Sequence, residues 1–303
     1  MTTAQLQLNI TKQDEINFAR HETFHPRFGW LKKGFEQASK NPDVFFADDA
    51  TVKLGVGKNM VRSIRYWCRA FKLLNQDDDT PTIFGEQLLG TDGWDAYLED
   101  PGSLWLLHWK LIESPCLATA WKIVFDQFRA SEFTSEELFY CLSDYCQSLR
   151  GKTADSSLRK DVNCILRMYV AQQNKKNTED SLDCPFAELG LIHTAGVSHR
   201  YMFRVGYKPT LPPEVLVYTC LCHAAQRNTT ARSIPIASLL YDSGSPGLIF
   251  KVTEKDICNA IEFVNRGFES LSLADAAGKI QLFFDEDPSE LAEAILNNYY
   301  IKR

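Results

Sequence analysis

The feature that most constrains this chain lies at residues 48–74, where two helical patterns flank the short turn Gly55-Val56-Gly57. In the second pattern, apolar residues recur at the spacing of one helix face, about 100° per residue. That face comprises Met60, Val61, Ile64, Trp67, Cys68 and Phe71. Basic residues form a single column on the other side, at Lys58, Arg62, Arg65 and Arg69. The pattern predicts a helix-turn-helix whose second helix offers basic side chains to a polyanion.

Charge along the chain supports contact with nucleic acid on one face only. The net charge is -6, but residues 20–72 hold eleven Lys or Arg against five acids, and residues 77–100 hold eight acids and no Lys or Arg. Such a basic segment attracts phosphates even within an acidic protein. An alternative is that the column is only a solvated surface. The predicted DNA-binding residues are Lys58, Asn59, Arg62, Arg65, Tyr66, Arg69, Lys32 and Lys33.

Cysteine usage and hydropathy predict a cytoplasmic protein with no membrane segment. Nine cysteines, an odd number, occur singly in helical patterns, as is typical of proteins from a reducing compartment. The first twenty residues lack an apolar run of signal-peptide length. No stretch of about 18 apolar residues, the length that spans a bilayer, occurs anywhere in the sequence.

The order of the predicted elements indicates a mainly α protein of the α+β class, built from winged helix-turn-helix units with small β-hairpin wings. Residues 83–89 are expected to form a short wing strand, and residues 269–284 alternate as a hairpin does. A polar tract at 172–181 is expected to be a linker. We predict three domains: an N-terminal helix-turn-helix domain at 1–130, a central helical domain at 131–208, and a winged-helix-like domain at 209–303.

A short motif before the first helix, His21-Glu22-Thr23-Phe24-His25, admits three interpretations. It matches the H-E-x-x-H pattern of zinc peptidases, although Pro26 disfavours helical geometry at His25. It also suits phosphate chemistry, with His21 as acid or base, Glu22 as base or metal ligand, and Arg27 holding a phosphate. The third interpretation is a structural cap beneath the helix that follows.

Four acidic residues between positions 92 and 100 are a further candidate for metal binding. Asp92, Asp95, Glu99 and Asp100 offer carboxylate oxygens, which magnesium prefers. The simpler interpretation is a solvated acidic face. The identity of any bound metal is not predicted by these spacings.

Several motifs together resemble one known family, the SspB-like family of DNA-nicking proteins from phosphorothioation systems, formerly a domain of unknown function. The motifs are FARHETF at 18–24, FGWLKKG at 28–34, LGVGKNMV at 54–61, SIRYW at 63–67 and LWLLH at 104–108. The resemblance covers most of the chain and is most specific in the first 70 residues.

The resemblance implies a role in antiviral defence, in which one strand of duplex DNA is cut so that sulfur can be inserted into the backbone. The implied partners are a cysteine desulfurase, an ATP pyrophosphatase and an ATPase. For a nicking enzyme we also expect Mg²⁺ or Mn²⁺ as the cofactor, and a homodimer is one arrangement of the chain. No catalytic residues are carried over, so the predicted site rests on His21, Glu22 and Arg27 alone. The alternative is a non-catalytic DNA-binding subunit or a regulator that recruits the modification machinery.

Overall fold

The fold, seen in a computed structural model, combines many helices with two small antiparallel sheets. The structure describes residues 16–149, 153–171, 184–196, 199–227, 230–276 and 278–303. The predicted linker at 172–181 lies outside these ranges. The α+β class is therefore confirmed, with helices in the majority.

From residue 16 to the first strand the structure has six α-helices, and α2 and α3 form where the helix-turn-helix pattern predicts them. A π-helix, Ile123–Gln127, follows the sixth. Gly55 ends α2 with a left-handed backbone (φ 62°), which a glycine adopts without strain. The helices are α1 (Trp30–Lys40), α2 (Ala50–Leu54), α3 (Lys58–Ala70), α4 (Ile83–Leu89), α5 (Pro101–Ile112) and α6 (Thr119–Lys122). A 3₁₀ helix, Pro42–Phe46, joins α1 to α2.

The wing strand predicted at residues 83–89 is wrong, because this segment is helix α4. Thr82 caps the helix, its Oγ1 accepting a hydrogen bond from Gly85 N at 2.9 Å. Leu88 and Leu89 are buried. A short apolar run fits a buried strand and a buried helix equally well, and here the N-cap decides between them.

The middle of the chain forms a three-stranded sheet beside two long helices. Its elements are β1 (Glu132–Thr134), α7 (Ser135–Ser148), α8 (Asp155–Tyr169), a 3₁₀ helix (Pro185–Leu189), β2 (Ile192–Thr194) and β3 (Arg200–Phe203). The sheet order is β1-β3-β2, and both pairings are antiparallel. A capping box between Thr134 and Glu137 starts α7 directly after β1.

The last part of the chain repeats the order of the middle part. It comprises α9 (Pro213–Arg227), β4 (Ser233–Pro235), α10 (Ile236–Tyr241), α11 (Pro246–Phe250), α12 (Glu254–Asn265), β5 (Leu271–Ala276), β6 (Lys279–Phe284) and α13 (Pro288–Ile301). In both, a helix (α6 or α9) is followed by a strand, then by at least two helices, and then by a hairpin. The sheet order is β4-β6-β5. The predicted hairpin is confirmed, with Leu271 opposite Phe284.

One hydrophobic core extends through all three parts of the chain. At its centre His108 on α5 bonds to the Tyr169 hydroxyl on α8 through Nδ1 (2.7 Å) and to Ile249 O on α11 through Nε2 (3.2 Å). Burial lowers the pKa of His108 to about 3, so this histidine is neutral and serves the packing. Among the described residues, no helix is both long and apolar enough to cross a bilayer.

Candidate functional site

Helix α3 forms one wall of the site. Its apolar residues and its basic residues lie on opposite faces, as the sequence predicts. Val61, Ile64, Trp67 and Cys68 are buried, and Phe71 just after the helix is buried as well. Lys58 and Arg62 on the opposite face are exposed. Burial of the apolar face fixes the rotation of the helix, and the N-terminal part of the basic column is therefore turned toward solvent.

The C-terminal half of the basic column is held by a buried carboxylate that the sequence analysis missed. Asp79 is 1% exposed, has a left-handed backbone (φ 58°), and accepts hydrogen bonds from Arg65 Nε at 2.7 Å and from Arg69 Nε. The side chains of Arg65 and Arg69 are accordingly only 28% and 17% exposed. Arg62 differs, because its side chain is 57% exposed and lies 3.8 Å from Glu22. The column thus contains two anchored arginines and one exposed arginine.

A cleft of about 790 Å³ opens along this column. Its walls come from α3, from the 3₁₀ helix Pro42–Phe46 with the residues that follow it, and from the turn that precedes α1. Two acidic side chains line it, Glu22 and Asp48, together with the aromatic residues Phe45, Phe46 and Tyr66. The basic residues of the lining are Arg20, Lys58, Arg62, Arg65 and Arg69. Five basic groups against two acidic ones make the cleft attractive to phosphates.

The turn before α1 carries Arg20 and Glu22 to the edge of this cleft. Ala19, Glu22 and Thr23 all have positive φ (55°, 50° and 68°), and residues 21–25 belong to no helix. The zinc-peptidase interpretation is therefore wrong, since it needs both histidines on one helix. Trp67 Nε1 on α3 donates a hydrogen bond to Phe24 O at 3.0 Å, which fixes the turn against that helix.

His21 lies behind the cleft, in the interior of the protein. It is fully buried, and its Nε2 lies 2.7 Å from Asp161 Oδ1 on α8. Asp161 also accepts hydrogen bonds from Ala19 N, at 3.0 and 3.1 Å. Burial raises the pKa of Asp161, although the hydrogen bond and charge of His21 oppose that rise. The His21 ring packs against Trp67 and Trp121, at centroid distances of 6.1 and 5.6 Å.

Only some of the predicted residues meet at the cleft. Glu22 lies there, whereas Arg27 packs its guanidinium against Phe24 and Trp30, outside the lining. Lys32 and Lys33 are also outside it, with Lys32 Nζ donating to Leu89 O (2.9 Å) and Lys33 Nζ to Leu54 O (3.1 Å). These two lysines stabilise the carbonyl ends of α4 and α2. Asn59 is exposed beside the cleft without lining it.

The carboxylates of the described residues offer no cluster of three to a magnesium ion. Across the described ranges, no group of three His, Cys, Asp or Glu side chains is arranged to hold a metal ion. Asp95 accepts hydrogen bonds from Glu99 N and Asp100 N, and Asp100 from Gly102 N and Tyr299 Oη, so the acidic segment uses these oxygens within the fold. Magnesium often keeps several waters and takes one or two carboxylates, and that need fits Glu22, which is partly exposed in the cleft.

A second polar face lies on α8, on the side of the helix away from Asp161. Its exposed residues Ser156, Lys160, Asn163 and Arg167 are spaced 4, 3 and 4 apart, so they form one column. A groove of about 460 Å³ between α8 and the β2–β3 hairpin is lined by Asn163, Arg167, Thr194 and Tyr201, among others. The spacing of Lys160 and Arg167 was visible in the sequence, but it was not singled out there.

Comparison with known proteins agrees with the resemblance found in the sequence. A family model described as "Protein of unknown function (DUF4007)" matches residues 18–300. A magnesium ion-bound SspB crystal structure superposes with a TM-score of 0.90 at 42% sequence identity, covering 95% of this chain and 89% of that chain. A second SspB crystal structure has a TM-score of 0.89 and 41% identity, with the same coverage. No curated protein gave a match.

Proposed function

The chain belongs to the SspB-like family described as protein of unknown function (DUF4007), and on that premise we propose that it binds duplex DNA along α3 and nicks one strand at the cleft. The nick would open the backbone for phosphorothioate modification in an antiphage defence system. The observation that carries this proposal is the convergence of five basic side chains in one cleft of a protein whose net charge is -6. Neutralised phosphates supply most of the affinity of such surfaces.

Glu22 is the group proposed to act on the reacting phosphate. It is the carboxylate that the turn carries into the cleft, and Arg62 lies beside it at 3.8 Å. A carboxylate there could hold a hydrated Mg²⁺ or Mn²⁺ ion, which would supply Lewis-acid stabilisation of phosphate charge. Arg20 and Arg62 would bind the neighbouring phosphate oxygens. His21 would be a positioning residue on the interior side of the turn, which it holds through its hydrogen bond with Asp161.

The repeated order of helix, strand, helices and hairpin supports the interpretation of two units as winged helices. In such units the last helix before the hairpin enters the major groove, a role that falls to α8 and α12. The exposed face of α8 bears Lys160 and Arg167, whereas that of α12 includes Glu254 and Glu262. We therefore assign DNA contact to the N-terminal and central domains (1–130 and 131–208), and contact with partner proteins to 209–303.

The proposed setting is the cytoplasm, with the other phosphorothioation proteins as partners. These are the cysteine desulfurase, the ATP pyrophosphatase and the ATPase that the family resemblance implies. A homodimer is the arrangement we propose if the chain associates with itself.

A second candidate function, a non-catalytic DNA-binding subunit or regulator, is favoured by two observations. His21 is fully buried, and within the described part of the chain no three ligating side chains meet at a metal site. Under this alternative the cleft binds DNA and recruits the modification machinery, while another protein cuts the strand.

Incubation with supercoiled plasmid and Mg²⁺ or Mn²⁺ separates the two functions. We expect relaxation by the wild type, and its loss in Glu22→Gln with DNA affinity unchanged. Glu262→Gln, an exposed glutamate on α12, is the matched control and should nick normally. His21→Ala is expected to lose nicking together with stability. If the protein binds DNA but does not relax the plasmid at any metal concentration, the nickase proposal is wrong and the recruiting role is supported.

A further inference from the structure

Phe46 stands out because it is a large aromatic side chain left 66% exposed at the mouth of a basic cleft. Its position follows from the 3₁₀ helix Pro42–Phe46, which Asn41 starts by accepting a hydrogen bond from Asp43 N at 3.1 Å. Side chains three apart eclipse in a 3₁₀ helix, so Phe46 lies on the same side as exposed Asp43. Val44 and Phe45 are buried and hold the segment against the core.

One face of the Phe46 ring is covered by an arginine that cannot easily move away. The Arg65 guanidinium lies 4.4 Å from the ring centroid, and its Nε is bonded to buried Asp79 at 2.7 Å. Since the side chain is still 66% exposed and lines the cleft, much of the ring stays accessible to a ligand. A rigid aromatic ring backed by a fixed cation provides a stacking surface for a planar partner.

The rest of the cleft suits the sugar-phosphate of that partner. Its volume of about 790 Å³ falls within the range of about 300–1,000 Å³ typical of small-ligand pockets. Arg20 and Arg62 line this opening and are exposed, so their guanidinium groups can donate to phosphate oxygens.

From this geometry we propose that the cleft takes one unpaired nucleotide, whose base stacks on Phe46 and whose phosphate is bound by Arg20 and Arg62. The inference rests on the proposed function, since it names the form of DNA that enters the site. Extrusion of a nucleotide from a duplex is least costly where the base has no partner. The protein should therefore prefer DNA that already carries an unpaired base.

The test measures affinity for three duplexes of one length: fully paired, with one extra unpaired thymidine, and with one extra abasic nucleotide. We expect the wild type to bind the thymidine bulge about tenfold more tightly than the abasic bulge. Phe46→Ala should bind both bulges equally, and Phe46→Trp should restore the preference. Tyr241→Ala removes an equally exposed aromatic ring from α10 and should behave as the wild type.

Each outcome separates this inference from the proposed function on which it rests. If the wild type binds both bulges with equal affinity, stacking of a base on Phe46 is overturned, whereas the proposal of duplex binding is not. Tighter binding to the abasic bulge overturns it too, because that result indicates a wedge inserted into the base stack. Failure to bind any of the three duplexes contradicts the proposed function itself.

Discussion

Replacing Arg62 with alanine removes a guanidinium from the cleft while leaving the interior of the protein unchanged. The side chain is 57% exposed, and its ion pair with Glu22 spans 3.8 Å. Exposed pairs of this kind contribute about 0–1 kcal/mol to stability. We therefore expect the free energy of unfolding to change by less than about 1 kcal/mol. Any larger effect of Arg62→Ala on DNA affinity then reports on the interface.

The size of that effect follows from counterion release. Each phosphate contact contributes about 0.9 to the slope of log K against log salt concentration. Over a fourfold rise in salt, from about 50 to about 200 mM, one contact changes affinity by about 3.5-fold. The loss of affinity between these two concentrations should accordingly be about 3.5-fold smaller in Arg62→Ala than in the wild type.

Fluorescence anisotropy with a labelled duplex at four salt concentrations gives both slopes. Arg266→Ala is the matched control, because it removes an exposed arginine just after α12, in the part of the chain to which we assign no DNA contact. If Arg62→Ala and Arg266→Ala had the same slope as the wild type, the assignment of the α3 column to phosphate binding would be wrong. An equal loss in both variants would point to diffuse attraction instead.

The remaining predictions concern α8 and the interior. Replacing both Lys160 and Arg167 with alanine should lower the salt slope by up to about 1.8, through two lost phosphate contacts, and an unchanged slope would remove α8 from the interface. Burial, followed by the charge of Arg129, lowers the pKa of Lys251 from 10.5 to about 7. Since the unfolded chain keeps this proton up to about pH 10.5, folding stability should rise with pH between about 7 and 10. Lys251→Met should flatten that rise in urea titrations, and a slope equal to that of the wild type would contradict the pKa.

Elements governed by local chemistry could be predicted from the sequence. Helix α3 follows from the 3.6-residue spacing of Val61, Ile64 and Trp67, and the β5–β6 hairpin from alternation on both sides of a turn. Each pattern is complete within about fifteen residues. The family resemblance was also visible at this level, since its motifs are short runs in the first part of the chain.

Features that depend on distant contacts were missed. From the sequence, residues 77–100 are only an acidic segment next to the basic one, yet Asp79 folds back to neutralise part of the charge on Arg65 and Arg69. Nothing in the spacing of Asp79 indicates that its carboxylate reaches these residues, since a turn directs it there. The burial of His21 likewise depends on Asp161, which lies 140 residues away. The assignment of Glu22 to catalysis stays a prediction.

The hydrogen bond between His21 and Asp161 also determines when the turn that bears Glu22 can form during synthesis of the chain. The ribosome adds Asp161 140 residues after His21, which at 5–20 residues per second takes about 7 to 30 s. Until then the turn that bears Glu22 lacks the carboxylate that accepts from Ala19 N and pairs with the His21 ring. A nascent chain therefore has no fixed Glu22 turn until α8 has been made, and a translation product that stopped short of α8 would lack the carboxylate that holds this turn.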